Sequence, residues 1–252
     1  MRPIIPDIWW SFPYKDDHIF EGWPKPAGVI IKAAQGIADY TDWTRFKELW
    51  PSIVNDFDLL GNFHYLKTQV SGEAQAEVML DILGRFPEFG VVGVDFERTG
   101  NDINKTTTKI LFDYVDTLQD MTDVSVVIYA NSELFTLINS WYPGRLQNYK
   151  IWYAGGDYYN TALEKPLPDD VWPILPPGVT MNNLILWQAH ADRDYLADEL
   201  DFGTDEDTSI DINYFNGTPK EAYQFFGKPV PLKVEFIDQL TRLKRRLQWV
   251  KG

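Results

Sequence analysis

At 252 residues, 44% hydrophobic and 15% aromatic, the chain is long enough to bury the core of one large domain and is too apolar to be a disordered sequence. Its net charge of −14 argues against a nucleic-acid partner, because phosphate backbones are bound by clustered Lys and Arg. The lack of cysteine excludes disulfides, thiolate nucleophiles and zinc–thiolate sites, and no apolar run approaches the roughly 18–20 residues of a transmembrane helix, so no membrane span is expected.

Read in chain order, Ile4 to Trp10 is an apolar strand pattern carrying Asp7 in its middle. Val29 to Ala33 predicts a strand, and Thr41-Asp42-Trp43 opens a helix through Phe46, Leu49 and Trp50. Leu59 to Leu66 is the next strand, and Ser71 is placed to cap a helix that follows it. Val91 to Phe96 predicts a strand, and Lys105 to Gln119 a helix with Ile110, Leu111, Tyr114, Val115 and Leu118 on its apolar side. Val124 to Tyr129 is a further strand, followed by a short helix through Leu134 and Ile138.

After Lys150 the rhythm changes. Strands are expected at Tyr149–Tyr153, Leu184–Gln188 and Ser209–Ile212, with little helix between them, and 156–183 is a long surface loop rich in Pro, Gly, Asp and Asn. The alternation predicts an α/β fold, an irregular (β/α) barrel with five βα units, three strands with little helix, and a C-terminal helix. A composition boundary separates a body, 1–227, from a tail, 228–252. Seven basic residues against two acids give the tail +5 and leave −19 on the body. Phe236, Leu240, Leu243, Leu247 and Val250 are spaced 4, 3, 4 and 3, a seam through which a 232–250 helix would form a homo-oligomer or pack on the barrel.

The candidate chemistry sits where strands end in acids. In Val91-Val92-Gly93-Val94-Asp95-Phe96-Glu97, alternation puts Asp95 and Glu97 on one face, with Cβ atoms roughly 6–7 Å apart at about 3.3 Å rise per residue. Two such acids cannot both ionise freely, which keeps one protonated for general-acid work. Asp7 and Asp211, each set in an Ile-rich run, are costly to bury unless a polar cavity receives them, so a shared acidic site is expected. Parallel barrels carry such sites at the carboxyl ends of their strands. His64, inside an apolar strand, reads as a hydrogen-bonded barrel residue. Trp9, Trp10, Trp152, Tyr153 and Trp187 fall at strand ends suited to a glycan groove, whereas Trp43 and Trp50 read as helix packing. No HExxH, phosphate-binding glycine loop or Ser–His–Asp set is present, and no cofactor or metal is implied.

Over about residues 4–217 the chain resembles glycoside hydrolase family 25, the Chalaropsis-type lysozymes. The matching pieces are Asp7-Ile8 with Ser11, Val29 to Gly36, Gly61-Asn62-Phe63-His64-Tyr65, Asp95 and Glu97, Ile128-Tyr129, Ile151-Trp152, Leu186-Trp187-Gln188, and Asp211 to Gly217. The resemblance implies an irregular barrel that hydrolyses the β-1,4 bond between N-acetylmuramic acid and N-acetylglucosamine in peptidoglycan, retaining configuration with the substrate's 2-acetamido group as nucleophile. It implies Glu97 as proton donor and Asp95 as the neighbour that supports the transition state. Asp7, Asp211, Tyr65, Tyr129, Trp152, Trp187 and Gln188 are the expected substrate-binding residues.

Two departures stand out. Phe63-His64-Tyr65 replaces the family's usual Tyr-His-Phe, so Tyr65 or Tyr129 must supply any needed phenol or activity is lower, and Trp9-Trp10-Ser11-Phe12-Pro13 is bulkier than the usual polar start. The competing readings are a chitinase-like hydrolase of family 18, whose further acids would stand at Gly93 and Val91, and a non-catalytic glycan-binding module on a lysozyme barrel. The expected partner is the glycan strand of peptidoglycan. The expected place is the cell wall or the exterior, for an exported enzyme without a visible signal peptide or a phage lysin or tail component.

Overall fold

The protein is described from a computed structural model over residues 2–8, 26–158, 166–190, 211–235 and 239. The elements in order are β1 (Asp7–Ile8), β2 (Gly28–Gln35), β3 (Ala38–Asp39), α1 (Thr44–Asp56), β4 (Leu59–Tyr65), α2 (Gly72–Arg85), β5 (Val91–Asp95) and α3 (Thr108–Met121). Then come β6 (Ser125–Asn131), α4 (Ser132–Trp141), a 3-10 turn (Arg145–Asn148), β7 (Lys150–Ala154), β8 (Leu184–His190), β9 (Ile212–Phe215) and α5 (Pro219–Phe225). The sheet order is β1-β2-β4-β5-β6-β7-β8-β9, with β3 folded back on β2. Pairings from β1 to β8 are parallel, and β9 runs antiparallel to β8.

The sheet closes on itself through antiparallel bridges Ile4–Tyr214 and Asp7–Asp211, with Ile5 N donating to Asn213 O at 2.9 Å and Asp7 N to Asp211 O at 3.1 Å. The result is the irregular β/α barrel expected from the alternation. Because strand side chains alternate, the fold has two apolar cores. Val29, Ile31, Val92, Val94, Val126, Ile128, Ile151 and Tyr153 point outward under the helices, while Ile30, Phe63, Val91, Val127, Trp152 and Leu186 fill the barrel.

The bottom of the barrel is sealed by α5, which the sequence reading did not anticipate. Thr218 and Glu221 form a reciprocal capping box with Pro219 in the first turn, a signal visible in the sequence. Ala222, Tyr223 and Phe226 join the interior cluster, and the following Val230 and Val234 pack against it. Gly90 permits this approach: a Cβ there would stand 2.0 Å from Phe226 O.

Other boundaries moved for local reasons. The third helix begins at Thr108 and not Lys105, because the Asn104 side chain accepts from Thr106 N and Thr107 N and turns the chain first. The last strand among the described residues is Ile212–Phe215, which runs past the expected end at Ile212 because Asn213, Tyr214 and Phe215 pair with Gln188, Trp187 and Leu186; Ser209 and Ile210 of the expected strand lie outside the described residues. Within 166–183 there is no regular helix or strand, yet Leu167 and Val179 are buried, so this stretch packs onto the body. Trp50 packs with Phe46, Phe86 and Phe89 as expected. Trp43, at the start of α1 and 43% exposed, packs on Tyr40 with ring centroids 4.4 Å apart. The predicted seam residues from Phe236 to Val250, and Trp9 to Pro13, lie outside the described residues. No helix among the described residues is long and apolar enough to cross a membrane.

Two glycine substitutions test this packing. Gly90→Ala should lower unfolding free energy by about 3 kcal/mol, because backbone stands in the way. Gly84→Ala, in exposed helix with nothing within 4 Å of the added carbon, should raise it by about 0.5–1 kcal/mol. Urea unfolding reads both, and equal effects would contradict the floor contact.

Candidate active site

At the carboxyl ends of the parallel strands, alternation turns Asp7, Lys32, Tyr65, Asp95, Tyr129 and Gln188 to the inside, and antiparallel β9 adds Asn213, with Asp211 just before it. Phe96 points outward into the helix-covered core, so Asp95 and Glu97 flank it on the inner side, as the two-residue spacing predicts. Asp95 is buried at 9% exposure with Oδ1 making no hydrogen bond among the described residues, whereas Glu97 is half-buried.

The four acids feel one another. Burial lifts the Asp95 carboxyl well above the ordinary carboxylate range, and Glu97 lifts it further, while the Lys32 ammonium opposes the shift. Burial and Asp211 lift Asp7 in the same way, against the hydrogen bond from Asn213. Lys32, buried between the rings of Tyr65 and Phe63 and donating to Gln35 Oε1 at 3.0 Å, is pushed down to about 8 by burial, with Asp95 the largest opposing influence. Lys32 was not singled out from the sequence, although a lysine two residues after inward Ile30 in an apolar strand marks an interior cation.

Two hydrogen-bond chains hold the acids at the seam. Tyr129 Oη donates to Gln188 Oε1 at 2.7 Å, and Gln188 Nε2 donates to Asp211 Oδ2 at 2.6 Å. Trp152 Nε1 donates to Asn213 Oδ1 at 2.6 Å, and Asn213 Nδ2 donates to Asp7 Oδ1 at 2.7 Å and to Ile5 O at 2.9 Å. Each amide is thereby fixed in one orientation. The Trp152 indole lies edge-on to Tyr129 and over Gly93, where a Cβ would come within 2.8 Å of it. An acid at 93 would displace that ring.

The predicted residues therefore divide. Asp7, Asp95, Tyr65, Tyr129, Trp152, Gln188 and Asp211 come together with Glu97. Trp187 is a correction: its side chain faces the outer core, buried against Trp172 and Tyr214 with Nε1 donating to Gly155 O at 2.7 Å, so no sugar reaches it. Odd and even positions on β8 face opposite ways, and Gln188 took the inner one. Tyr153 is outward for the same reason. Phe63 fills the interior, and the two candidate phenols are engaged: Tyr65 Oη donates to Thr99 O at 2.6 Å, and Tyr129 to Gln188. Burial, then Asp95 and Glu97, raise Tyr65. His64 faces outward, 3.1 Å through Nδ1 from Tyr114 Oη, and burial pushes it down to about 3, so it is neutral packing. Among the described residues no group of three or more His, Asp or Glu is arranged to hold a metal ion.

A family model described as glycosyl hydrolases family 25 matches residues 19–198. No curated protein matches the chain in sequence. Among solved structures, the bacterial lysozyme from Streptomyces coelicolor superimposes with a TM-score of 0.63 at 17% identity, covering 91% of this chain and 99% of that one. A family 25 glycosyl hydrolase from Bacillus anthracis gives 0.52 at 20% identity, covering 90% and 94%. The catalytic domain of endolysin ply40 from bacteriophage P40 of Listeria monocytogenes gives 0.56 at 16% identity, covering 90% and 98%. At these identities the structural likeness is one of fold.

The raised Asp7 has a consequence for stability. Folded Asp7 holds its proton to higher pH than unfolded Asp7, so its share of stability is present below the ordinary carboxylate value and is lost as pH rises through the raised one. Asp7→Asn keeps an acceptor for Asn213 without the charge. Urea unfolding at pH 4 and pH 8 should therefore show a smaller loss in the variant than in the parent, and equal losses would refute the buried-charge account.

Proposed function

The chain belongs to glycosyl hydrolases family 25, and from that premise we propose that it is an N-acetylmuramidase, cleaving the β-1,4 bond between N-acetylmuramic acid and N-acetylglucosamine in peptidoglycan. The observation that carries the proposal is the gathering of Asp7, Asp95, Glu97 and Asp211 in one barrel mouth, with Asp95 buried beside Glu97 and lifted by it. Burial makes two adjacent negative charges costly, so the Asp95–Glu97 pair keeps a proton to higher pH than an isolated carboxylate does.

Glu97, less buried than Asp95, delivers that proton to the glycosidic oxygen as its bond to the anomeric carbon breaks. The substrate's 2-acetamido oxygen closes on the anomeric carbon, forming an oxazolinium ion with retention after water opens it. This is one of the exceptions to the scheme in which a carboxylate attacks. Water then adds at that carbon, gives its proton back to Glu97, and the acetamide re-forms. Asp95 gains a partner for its charge as the oxazolinium develops, which is when a buried carboxylate is most useful. Asp7 and Asp211, held by Asn213 and Gln188, accept from sugar hydroxyls, and Tyr65, Tyr129 and Trp152 shape the floor. The glycan strand is the partner, which places the enzyme's action at the bacterial wall, as an exported enzyme or a phage lysin.

Gly93 and Val91 hold the positions where family 18 carries acids, and the Trp152 ring occupies the space an acid at 93 would need. Mass analysis of muropeptides from digested sacculi should find new reducing ends on muramic acid. Reducing glucosamine would overturn the bond assignment, and no product would leave a glycan-binding module. Glu97→Gln should cut turnover by about 10²–10⁴-fold with the fold intact, and a variant keeping more than about a tenth of parental turnover would remove Glu97 from the role. Asp95→Asn should lower turnover and move the basic limb of the pH–rate profile to lower pH, because a neighbouring negative charge no longer opposes loss of the proton. An unmoved basic limb would break that coupling.

A further inference from the structure

Glu97 lies past the end of β5. The last sheet-type bond on that strand runs from Phe96 N to Tyr129 O at 3.1 Å, so the proton donor's backbone leaves the ladder just as it enters the site. There the side chain of Asn101 takes over. Its Nδ2 donates to Glu97 O at 2.8 Å and to Leu66 O at 2.9 Å, and its Oδ1 accepts from Thr68 N at 3.0 Å. Two carbonyls require two N–H donors and the Thr68 amide requires an oxygen, so only one orientation of the amide satisfies all three.

Asn101 is itself held. Its N donates to Arg98 O at 2.9 Å, closing a β-turn in which Gly100 adopts φ +67°, a value that suits glycine at the third position. Thr68 Oγ1 accepts from Asp102 N at 3.2 Å and lies 3.4 Å from Asn101 Oδ1. Tyr65 Oη donates to Thr99 O and Gln69 Nε2 to Gly100 O at 3.2 Å, so the loop after β5 is stitched to the loop after β4 along its length. Of these bonds, only that from Asn101 reaches Glu97 O.

We infer that Asn101 is a positioning residue for the general acid, locking the Glu97 backbone to the end of β4 and so fixing the point from which the proton is delivered. The inference rests on the reading of Glu97 as proton donor. A displacement of about 1 Å at a reacting group costs on the order of 10²-fold in rate, which sets the scale of what the clamp secures. A loop tie that served stability alone would have no preference for the proton-transfer step.

The test is a double-mutant cycle. Asn101→Ala removes all three bonds, and Asn101→Asp keeps the acceptor for Thr68 N but cannot donate to either carbonyl. Each is made with Glu97 present and with Glu97→Gln, and kcat and KM are measured on soluble glycan fragments. Both variants should lower kcat by about 10–100-fold with KM within about twofold, and neither should lower the residual rate of Glu97→Gln further. A kcat within about twofold of the parent would overturn the inference, as would an equal loss in the Glu97→Gln background, which would show that Asn101 acts independently of Glu97. Full turnover in Glu97→Gln alone would instead sink the proton-donor reading. Should both Asn101 variants fail to fold, Thr68→Val keeps the shape of Thr68 and deletes the hydroxyl behind Asn101. A loss of kcat confined to the Glu97 background would uphold the clamp, and a loss equal in both backgrounds would overturn it.

Discussion

The closure of the barrel between its first and last strands is the constraint on which the site depends. β1 is two residues long and cannot supply a full parallel partner, so the seam is made by antiparallel bridges to β9 and the residue before it. Those bridges put Asp7 directly across from Asp211, backbone to backbone, with both carboxyls turned inward. Acids inside a barrel need donors, and two amides serve them: Asn213 on β9, at the seam, and Gln188 on the neighbouring β8. Trp152 and Tyr129 hold those amides in turn, so the closure, the acid pair and the aromatic floor are one connected arrangement.

The price of this arrangement is electrostatic. Asp7 and Asp95 are inside, lifted by burial and by like charge, and the buried Lys32 ammonium is set against Asp95. A core of aliphatic residues would be more stable there, and the cluster is the kind of local conflict that proteins keep for function. The opposite end of the barrel shows what the fold does without such a demand. There α5 presents Ala222 and Tyr223 to the interior, Phe226 just after it does the same, and Gly90 lets this end approach the sheet. One mouth is closed with apolar surface and the other carries the cluster of acids and amides.

The polar end is tied together by side-chain hydrogen bonds. Beyond Leu66 and Phe96, the loops after β4 and β5 have backbone groups satisfied by side chains: Asn101, Thr68, Tyr65 and Gln75. Loops that carry reacting groups on a rigid scaffold gain precision in this way. Arg2 does comparable work at the other side of the seam. It donates to Pro168 O and Val171 O and lies 4.3 Å from the Trp172 ring, which pins the long 166–183 connection against the first strand.

Much of this was legible in the sequence, for reasons that are local. Asp95 and Glu97 share a face because strand periodicity is two, and Asp7 and Asp211 stood out because an acid among isoleucines must be answered by a polar cavity. The βα rhythm gave the barrel, and Ser71 caps its helix as read, accepting from Ala74 N at 3.2 Å. The capping box of Thr218 and Glu221 is a local signal of the same kind. What the sequence could not fix was which face of a strand is the inner one when both faces are apolar. Trp152 and Trp187 look alike as aromatic residues near strand ends, yet one floors the site and the other is outer core. The partners across the seam, the orientation of Asn213 and Gln188, and the reach of Asn101 from one loop to another were decided only by tertiary structure, because each joins residues far apart in the chain whose meeting depends on how the barrel closes.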